Sequence, residues 1–185
     1  ARFWSGKHRQ AVLVGDLATD RDAQRLAPLV EVVQMTTGGA CHLELPLVER
    51  AFHRLTTNDL DFLFIENVGN LVCPASHDLG EHLRVVLLST TEGDDKPAKY
   101  PVMFRAADLC LITKTDLLAY ITEFTTARAR DSLRQIGFGG ETIELTSRGG
   151  EGFDAWLAWL DREIEAQRSR NRRGETARPK IQPEG

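Results

Sequence analysis

Little in this 185-residue chain would anchor or staple it from outside. No apolar run approaches the roughly 18 residues needed to cross a bilayer. The opening "ARFWSGKHRQ" has no apolar segment of the signal-peptide kind. Cysteine is scarce: three residues, at 41, 73 and 110, an odd count that does not fit a disulfide framework and contains no CxxC. That usage points to a reducing cytoplasm, where Cys and His more often serve a metal or a reaction. Aromatics are sparse at 7%, and none interleaves with the arginines of residues 167–180, which weakens a stacking-type nucleic-acid site. No internal repeat is present. These absences argue against a membrane protein, a disulfide scaffold and a repeat array.

The remaining composition is ordinary for a globular chain, 42% hydrophobic and 27% charged, enough for one domain with a sizeable core. The net charge of −4 is uneven: residues 167–180 hold six basic groups and one acid, leaving −9 on the rest. Residues 171–185 read as a basic, disordered tail behind a domain spanning 1–170.

Six short apolar runs alternate with helical patterns. Strands are expected at 11–17, 31–37, 62–69, 84–90, 109–115 and 142–147, and helices at 20–27, 43–56, 98–106, 117–136 and 151–170. Continuous rather than alternating hydrophobicity marks strands covered on both faces, so the fold class is α/β with a doubly wound, mostly parallel sheet. In such sheets, loops at the carboxyl ends of strands build the binding site. The unusual polar stretches "GDLATDRD", "TTGGACH", "ENVGNLVC", "TEGDDK", "TKTD" and "TSRGGEG" all follow strands.

Each stretch has a chemical reading. Glu66 ends a hydrophobic strand, where nucleotide hydrolases keep an acid near Mg²⁺, and Gly69 would let a backbone amide approach a terminal phosphate. Asp16 and Asp20 could hold a metal-bound water or orient an attacking one, while Thr19 or Asp20 would equally cap the next helix. In "ITKTD", Asp116 can accept from N1 and the exocyclic amine of guanine and the stem of Lys114 can cover the base; Asp116 would also cap a following helix. Thr113 stands where the usual guanine motif has Asn. Ser147 in "LTSRGGEG" could add a contact to the base, or simply belong to a helix-start loop.

Cys41 and His42 are adjacent behind Gly38 and Gly39, and three readings stand: a nucleophile with its base, a ligand pair, or a thiol beside an unrelated imidazole. Adjacency disfavours the first, because an imidazole seldom reaches its own neighbour's sulfur with a third group orienting it. Cys73 in "NLVCPAS" follows strand three; with Cys41 and His42 it would offer two thiolates and an imidazole, suited to Zn²⁺ or Ni²⁺. A fourth ligand could be water, His77 or a group from a second subunit. Cys110, mid-strand, reads as a core residue.

With "TTGGACHLE", "IENVGNLVCPASHDLGE", "TTEGDDKPAKYP" and "ITKTDLL" in hand, the chain resembles the HypB family of hydrogenase nickel-incorporation GTPases, of the SIMIBI class of P-loop NTPases. The resemblance covers about residues 11–118 and, more loosely, the chain to about 165. It implies a GTP-dependent metallochaperone that dimerises around nucleotide and metal and helps deliver nickel to the large subunit of [NiFe]-hydrogenase. Carried over onto this sequence, the metal ligands are Cys41, His42 and Cys73, the guanine readers Lys114 and Asp116, and the hydrolytic acids Asp16 and Glu66. Related urease nickel GTPases place the metal in a Cys-Pro-His stretch, whereas here Cys41-His42 and Cys73-Pro74 are separate. Such families open with a strand, a GxxxxGK[ST] loop and a helix. "ARFWSGKH" is only a near miss, so the chain is expected to lack that first unit, with residues 1–9 ending its helix. A metal- and partner-binding module without hydrolysis is the alternative this departure raises. Lys96 or Lys99 could reach a partner's nucleotide.

Overall fold

Among the described residues the six apolar runs form six strands, and every pairing between them is parallel. The computed structural model describes residues 7–16, 21–56 and 59–175, so the readings of Thr19 and Asp20 lie outside the described residues. By internal contacts the chain divides into two units, residues 1–80 and 81–185, each built on its own three-stranded sheet.

In the first unit β1 (Gln10–Asp16) is central, with β2 (Glu31–Thr36) on one side and β3 (Phe62–Glu66) on the other. Its register sets Asp16 opposite Thr36 and Val14 opposite Glu66, which brings the carboxyl ends of all three strands to one edge. β1 is buried along nearly its whole length, as a continuous Ala-Val-Leu-Val run requires. Helix α1 spans Arg21–Leu26 and α2 spans Leu45–Phe52. Pro46 falls in the first turn of α2, where its missing N–H costs nothing. Val48 and Ala51 of α2 join Leu13, Val33, Met35, Leu43 and Leu79 in the core. Leu43 is fully buried, a burial that stabilises by roughly 1.5–3 kcal/mol. Since His42 precedes it, this anchor fixes the start of the candidate ligand stretch.

In the second unit β5 (Leu109–Thr113) is central between β4 (Val85–Ser89) and β6 (Glu141–Glu144). Cys110 of β5 is fully buried, as a core residue should be, and burial pushes its thiol up to about 12 despite Arg130 nearby. Helices α3 (Lys96–Lys99), α4 (Pro101–Arg105), α5 (Thr126–Gln135) and α6 (Phe153–Arg172) complete the unit.

Three sequence expectations shift. The helix expected at 98–106 is two, because Pro101 drives Tyr100 out of helical geometry, to φ −127° and ψ 53°. The helix expected at 117–136 begins only at Thr126. Asp116 therefore caps no long helix; it lies inside a single 3₁₀ turn, Thr115–Leu117. The cap of α5 is Thr125, whose hydroxyl accepts from Arg128 N at 3.2 Å. Residues 118–125 instead fold so that Phe124 enters the core at 2% exposure. Of the helix end expected over residues 1–9, residues 1–6 lie outside the described residues; residues 7–9 lead into β1, and Arg9 O accepts from Asp61 N at 2.8 Å. At the other end α6 continues to Arg172, two residues past the expected helix end at 170.

Candidate functional site

Gly38 and Gly39 both take positive φ, 64° and 105°, so the chain leaving β2 reverses and returns across the sheet edge. That bend does what the sequence requires of it: it frees adjacent residues from the divergence of a regular element. Thr37 Oγ1 donates to Ala40 O at 2.8 Å and closes the turn. Leu43 N donates to Asn67 Oδ1 at 3.0 Å, pinning the far side of the loop to the segment after β3. The second ligand loop arrives from β3. Asn67 Oδ1 also accepts Val68 N at 2.8 Å, and the backbone then runs through Gly69 and Asn70 into a 3₁₀ turn, Cys73–Ser76.

These two loops bring Cys41, His42 and Cys73 together, with their ligand atoms all within 4.8 Å of one another. Cys41 Sγ lies 3.7 Å from His42 Nδ1. One tetrahedral ion bound by a thiolate at about 2.3 Å and an imidazole at about 2.0 Å would separate the two atoms by about 3.5 Å. The His42 ring stacks on His77, centroids 3.8 Å apart at 28°, and His77 Nδ1 bonds Cys73 O at 2.9 Å. His77 thus braces the group and is outside the cluster of close ligand atoms.

Two further features fit a metal. His42 Nε2 is buried without a hydrogen-bond partner, 4.0 Å from Glu44 Oε1. An imidazole ligating through Nδ1 carries its proton on Nε2 and needs an acceptor there, which the Glu44 carboxylate can supply. The two sulfurs also divide a proton unequally. Hydrogen bonds from the Cys41 thiol and from Asn70 lower the Cys73 pKa, while the same Cys73 contact, followed by desolvation, raises that of Cys41. The Cys73 thiol is thus the easier of the two to deprotonate, and a cation bound by both sulfurs would displace the shared proton. His42 Nδ1 does reach its neighbour's sulfur, at 3.7 Å, but the strongest partner of the Cys41 thiol is the Cys73 sulfur. Glu44 stands 4.0 Å from His42 Nε2, too far to orient a base, so the geometry favours shared ligation over a catalytic Cys–His pair. The residues present fit a soft or borderline divalent cation.

The same edge of the first unit carries Asp16 and Glu66 at the ends of β1 and β3. Glu66 is solvent-accessible, yet partial desolvation, with Asp22 and Asp16 adding negative charge, raises its carboxyl pKa. A strand end crowded with carboxylates suits a hydrated cation. Gly69 is exposed, and a Cβ there would meet nothing within 4 Å. Asp20 belongs to this reading but lies outside the described residues.

In the second unit Lys114 adopts left-handed geometry, φ 59° and ψ 37°, turning the chain sharply after β5. The buried Thr90 hydroxyl donates to Lys114 O at 2.9 Å, and Thr146 Oγ1 donates to Asp116 Oδ1 at 2.5 Å. Hydroxyls from the segments after β4 and β6 therefore grip the turn from both sides and orient the Asp116 carboxylate. Ser147, named from the sequence, is exposed; its neighbour Thr146, 3% exposed, is the residue that touches Asp116. Sequence reasoning missed Thr90 and Thr146 because buried threonines at strand ends look like any β-branched filler. Lys99 pairs with Asp95 at 2.6 Å, and Lys96 lies 3.9 Å from Glu92 and 5.2 Å over the Tyr100 ring. A hollow of about 490 Å³ at the amino ends of β5 and β6, lined by Arg105, Asp108 and Trp159, contains none of these residues.

Comparison with known proteins agrees with that geometry. Residues 5–137 match the family model described as "CobW/HypB/UreG, nucleotide-binding domain". The hydrogenase maturation factor HypB of Azotobacter chroococcum is 50% identical over 160 residues, which is 85% of this chain and 52% of that one. The probable hydrogenase maturation factor HypB of Methanocaldococcus jannaschii is 40% identical over 159 residues, 85% of this chain and 72% of that one. This chain spans about half the length of the first curated relatives it matches. Among solved structures, HypB from Helicobacter pylori in complex with nickel superposes with a TM-score of 0.83 at 37% identity, covering 88% of this chain and 77% of that one. HypB from Archaeoglobus fulgidus gives 0.80 at 32% identity, covering 88% and 79%. By its matched residues, its parallel α/β architecture and these relatives, the chain belongs to the CobW/HypB/UreG nucleotide-binding family, on its HypB branch.

Proposed function

We propose that this chain is a GTP-dependent nickel metallochaperone for [NiFe]-hydrogenase maturation, coupling GTP hydrolysis and dimerisation to nickel delivery. The observation that carries the metal half is the convergence of Cys41, His42 and Cys73 from two loops about thirty residues apart in sequence. Ni²⁺ is the cargo, held by two thiolates and one imidazole; Zn²⁺ suits the same donors. In this reading Asp116 accepts from the guanine edge, with Thr146 and Thr90 holding its turn, the Lys114 stem covers the base, and Ser147 lies beside it. Asp16 and Glu66 hold the hydrated Mg²⁺ that accompanies GTP, Asp20 helps place the attacking water, and the Gly69 amide faces the terminal phosphate. Mg²⁺ supplies charge neutralisation at the phosphates. The raised Glu66 pKa supports that placement, since a bound cation relieves the repulsion that raises it.

The partners of the whole protein follow from the same reading: a second copy of this chain, other hydrogenase maturation factors and the hydrogenase large subunit, in the cytoplasm. Among the described residues no helix is long and apolar enough to cross a membrane. Residues 1–170 form the working domain of this reading and 171–185 a basic tail.

One pair of titrations tests it. Nickel binding followed by thiolate-to-metal absorption should be lost in Cys73→Ala, and fluorescent-GTP binding should be lost in Asp116→Ala. Nickel bound without detectable GTP binding would favour a metal- and partner-binding module that does not hydrolyse. No nickel binding by the native chain would sink the metallochaperone reading.

A further inference from the structure

The two ligand loops meet through one side chain that ligates nothing. Asn70 Nδ2 donates to Cys41 O at 2.9 Å, across 29 residues of sequence. Its Oδ1 accepts from Val72 N at 2.7 Å and from Cys73 N at 3.2 Å. A single amide thus holds the backbone of both cysteines, using donor and acceptor at once. The surroundings offer the Cys41 side little else. Gly38 and Gly39 precede it with open space around them, and Cys41 is itself exposed. Asn67 makes the analogous tie one step further on, but to Leu43, beyond the ligands.

We propose that Asn70 is the positioning residue of the metal centre, its amide setting the separation of the Cys41 loop and the Cys73 turn at the distance one shared ion needs. The proposal rests on the metal-binding reading above. The amide fits this task because it is bifunctional: a residue that could only accept would hold the Cys73 turn and release Cys41 O, and one that could only donate would do the reverse. Outer partners of this kind orient the ligands, and their loss costs about 10- to 100-fold in metal affinity.

The test uses the full chain titrated with Ni²⁺ alone, read by thiolate-to-metal absorption, with far-ultraviolet circular dichroism as the check on folding. Asn70→Ala should bind Ni²⁺ about 10- to 100-fold more weakly, with a shifted absorption band. Asn70→Asp separates positioning from charge. It keeps the oxygen that accepts from Val72 N and Cys73 N and adds a negative charge beside the site, so charge alone predicts tighter binding. Positioning predicts weaker binding, because a carboxylate oxygen would then oppose Cys41 O where a donor stood. If Asn70→Ala fails to fold, Asn70→Asp decides. Affinity for either folded variant within about twofold of native, with the band unchanged, overturns the proposal. A native chain that binds no Ni²⁺ overturns the metal reading itself, and the proposal with it.

Discussion

Glu66 shares its end of the first unit with Asp16 and Asp22, and desolvation together with their charge lifts its carboxyl above the ordinary 4.5. The fold therefore favours the protonated form. The resulting contribution to stability is fully present below the unfolded pKa and is lost as pH rises through the folded one. Glu66→Gln keeps the shape and removes the charge. The native chain, free of cations, should lose urea resistance between mildly acidic and neutral pH, and the variant should lose less. Equal slopes of urea midpoint against pH for the two would refute this account. The same substitution should abolish any stabilisation by Mg²⁺ with nucleotide, so one residue yields opposite effects with and without ligand. Cys41 and Cys73 show similar local logic: a sulfur that donates a proton and a sulfur that receives it are poised to exchange that proton for a metal.

At the scale of elements, Gly15 in β1 shows how packing and site are joined. A Cβ on Gly15 would lie 2.8 Å from Leu43 Cδ2 and 2.9 Å from Glu66 O. Both neighbours matter to the site, one as the anchor behind His42 and the other as the backbone of the strand-end acid. Gly15→Ala should cost about 1–3 kcal/mol through overpacking. Leu43 is the softer neighbour and must shift, so Ni²⁺ affinity should fall together with the urea midpoint. A variant with native stability and native affinity would show that the strand and loop absorb a methyl group without strain. The turn after β5 follows a similar principle. Lys114 is held in left-handed geometry because Thr90 and Thr146 grip the turn, not because its own backbone prefers it.

Across the whole molecule, each unit places its most buried strand at the centre of its own sheet: β1 between β2 and β3, and β5 between β4 and β6. Central strands have both edges hydrogen-bonded and open only when their surroundings unfold. In native-state hydrogen exchange, amides of Leu13 in β1 and Leu111 in β5 should be the slowest of their units. Amides on the outer edges of the flanking strands β2, β3, β4 and β6 should exchange sooner. Protection confined to one unit would mean that the other lacks a stable central strand. The charge imbalance is also a whole-molecule property. α6 ends in an arginine-rich turn whose side chains pair locally, Arg168 with Glu165 and Arg173 with Glu175, so its positive charge is partly spent within the helix end.

The sequence by itself determined the six strands, their parallel α/β class and the residue types gathered at their carboxyl ends. Hydrophobic runs and strand-end polarity are local properties that one chain displays without folding. It also placed Cys41, His42 and Cys73 as a ligand set through the family resemblance, and left Cys110 to the core, where burial indeed puts it. Only the tertiary structure decided what holds those residues. Asn70 bridging the two cysteine loops, His77 stacked on His42 and Thr146 gripping Asp116 are contacts between distant segments, and no periodicity signals them. The late start of α5 belongs with them. Asp116 looked like a helix cap because its local sequence permits one, but its carboxylate accepts from Thr146, thirty residues away, and the cap passes to Thr125. Propensity states what a segment can form alone; partners reached through space choose among those options.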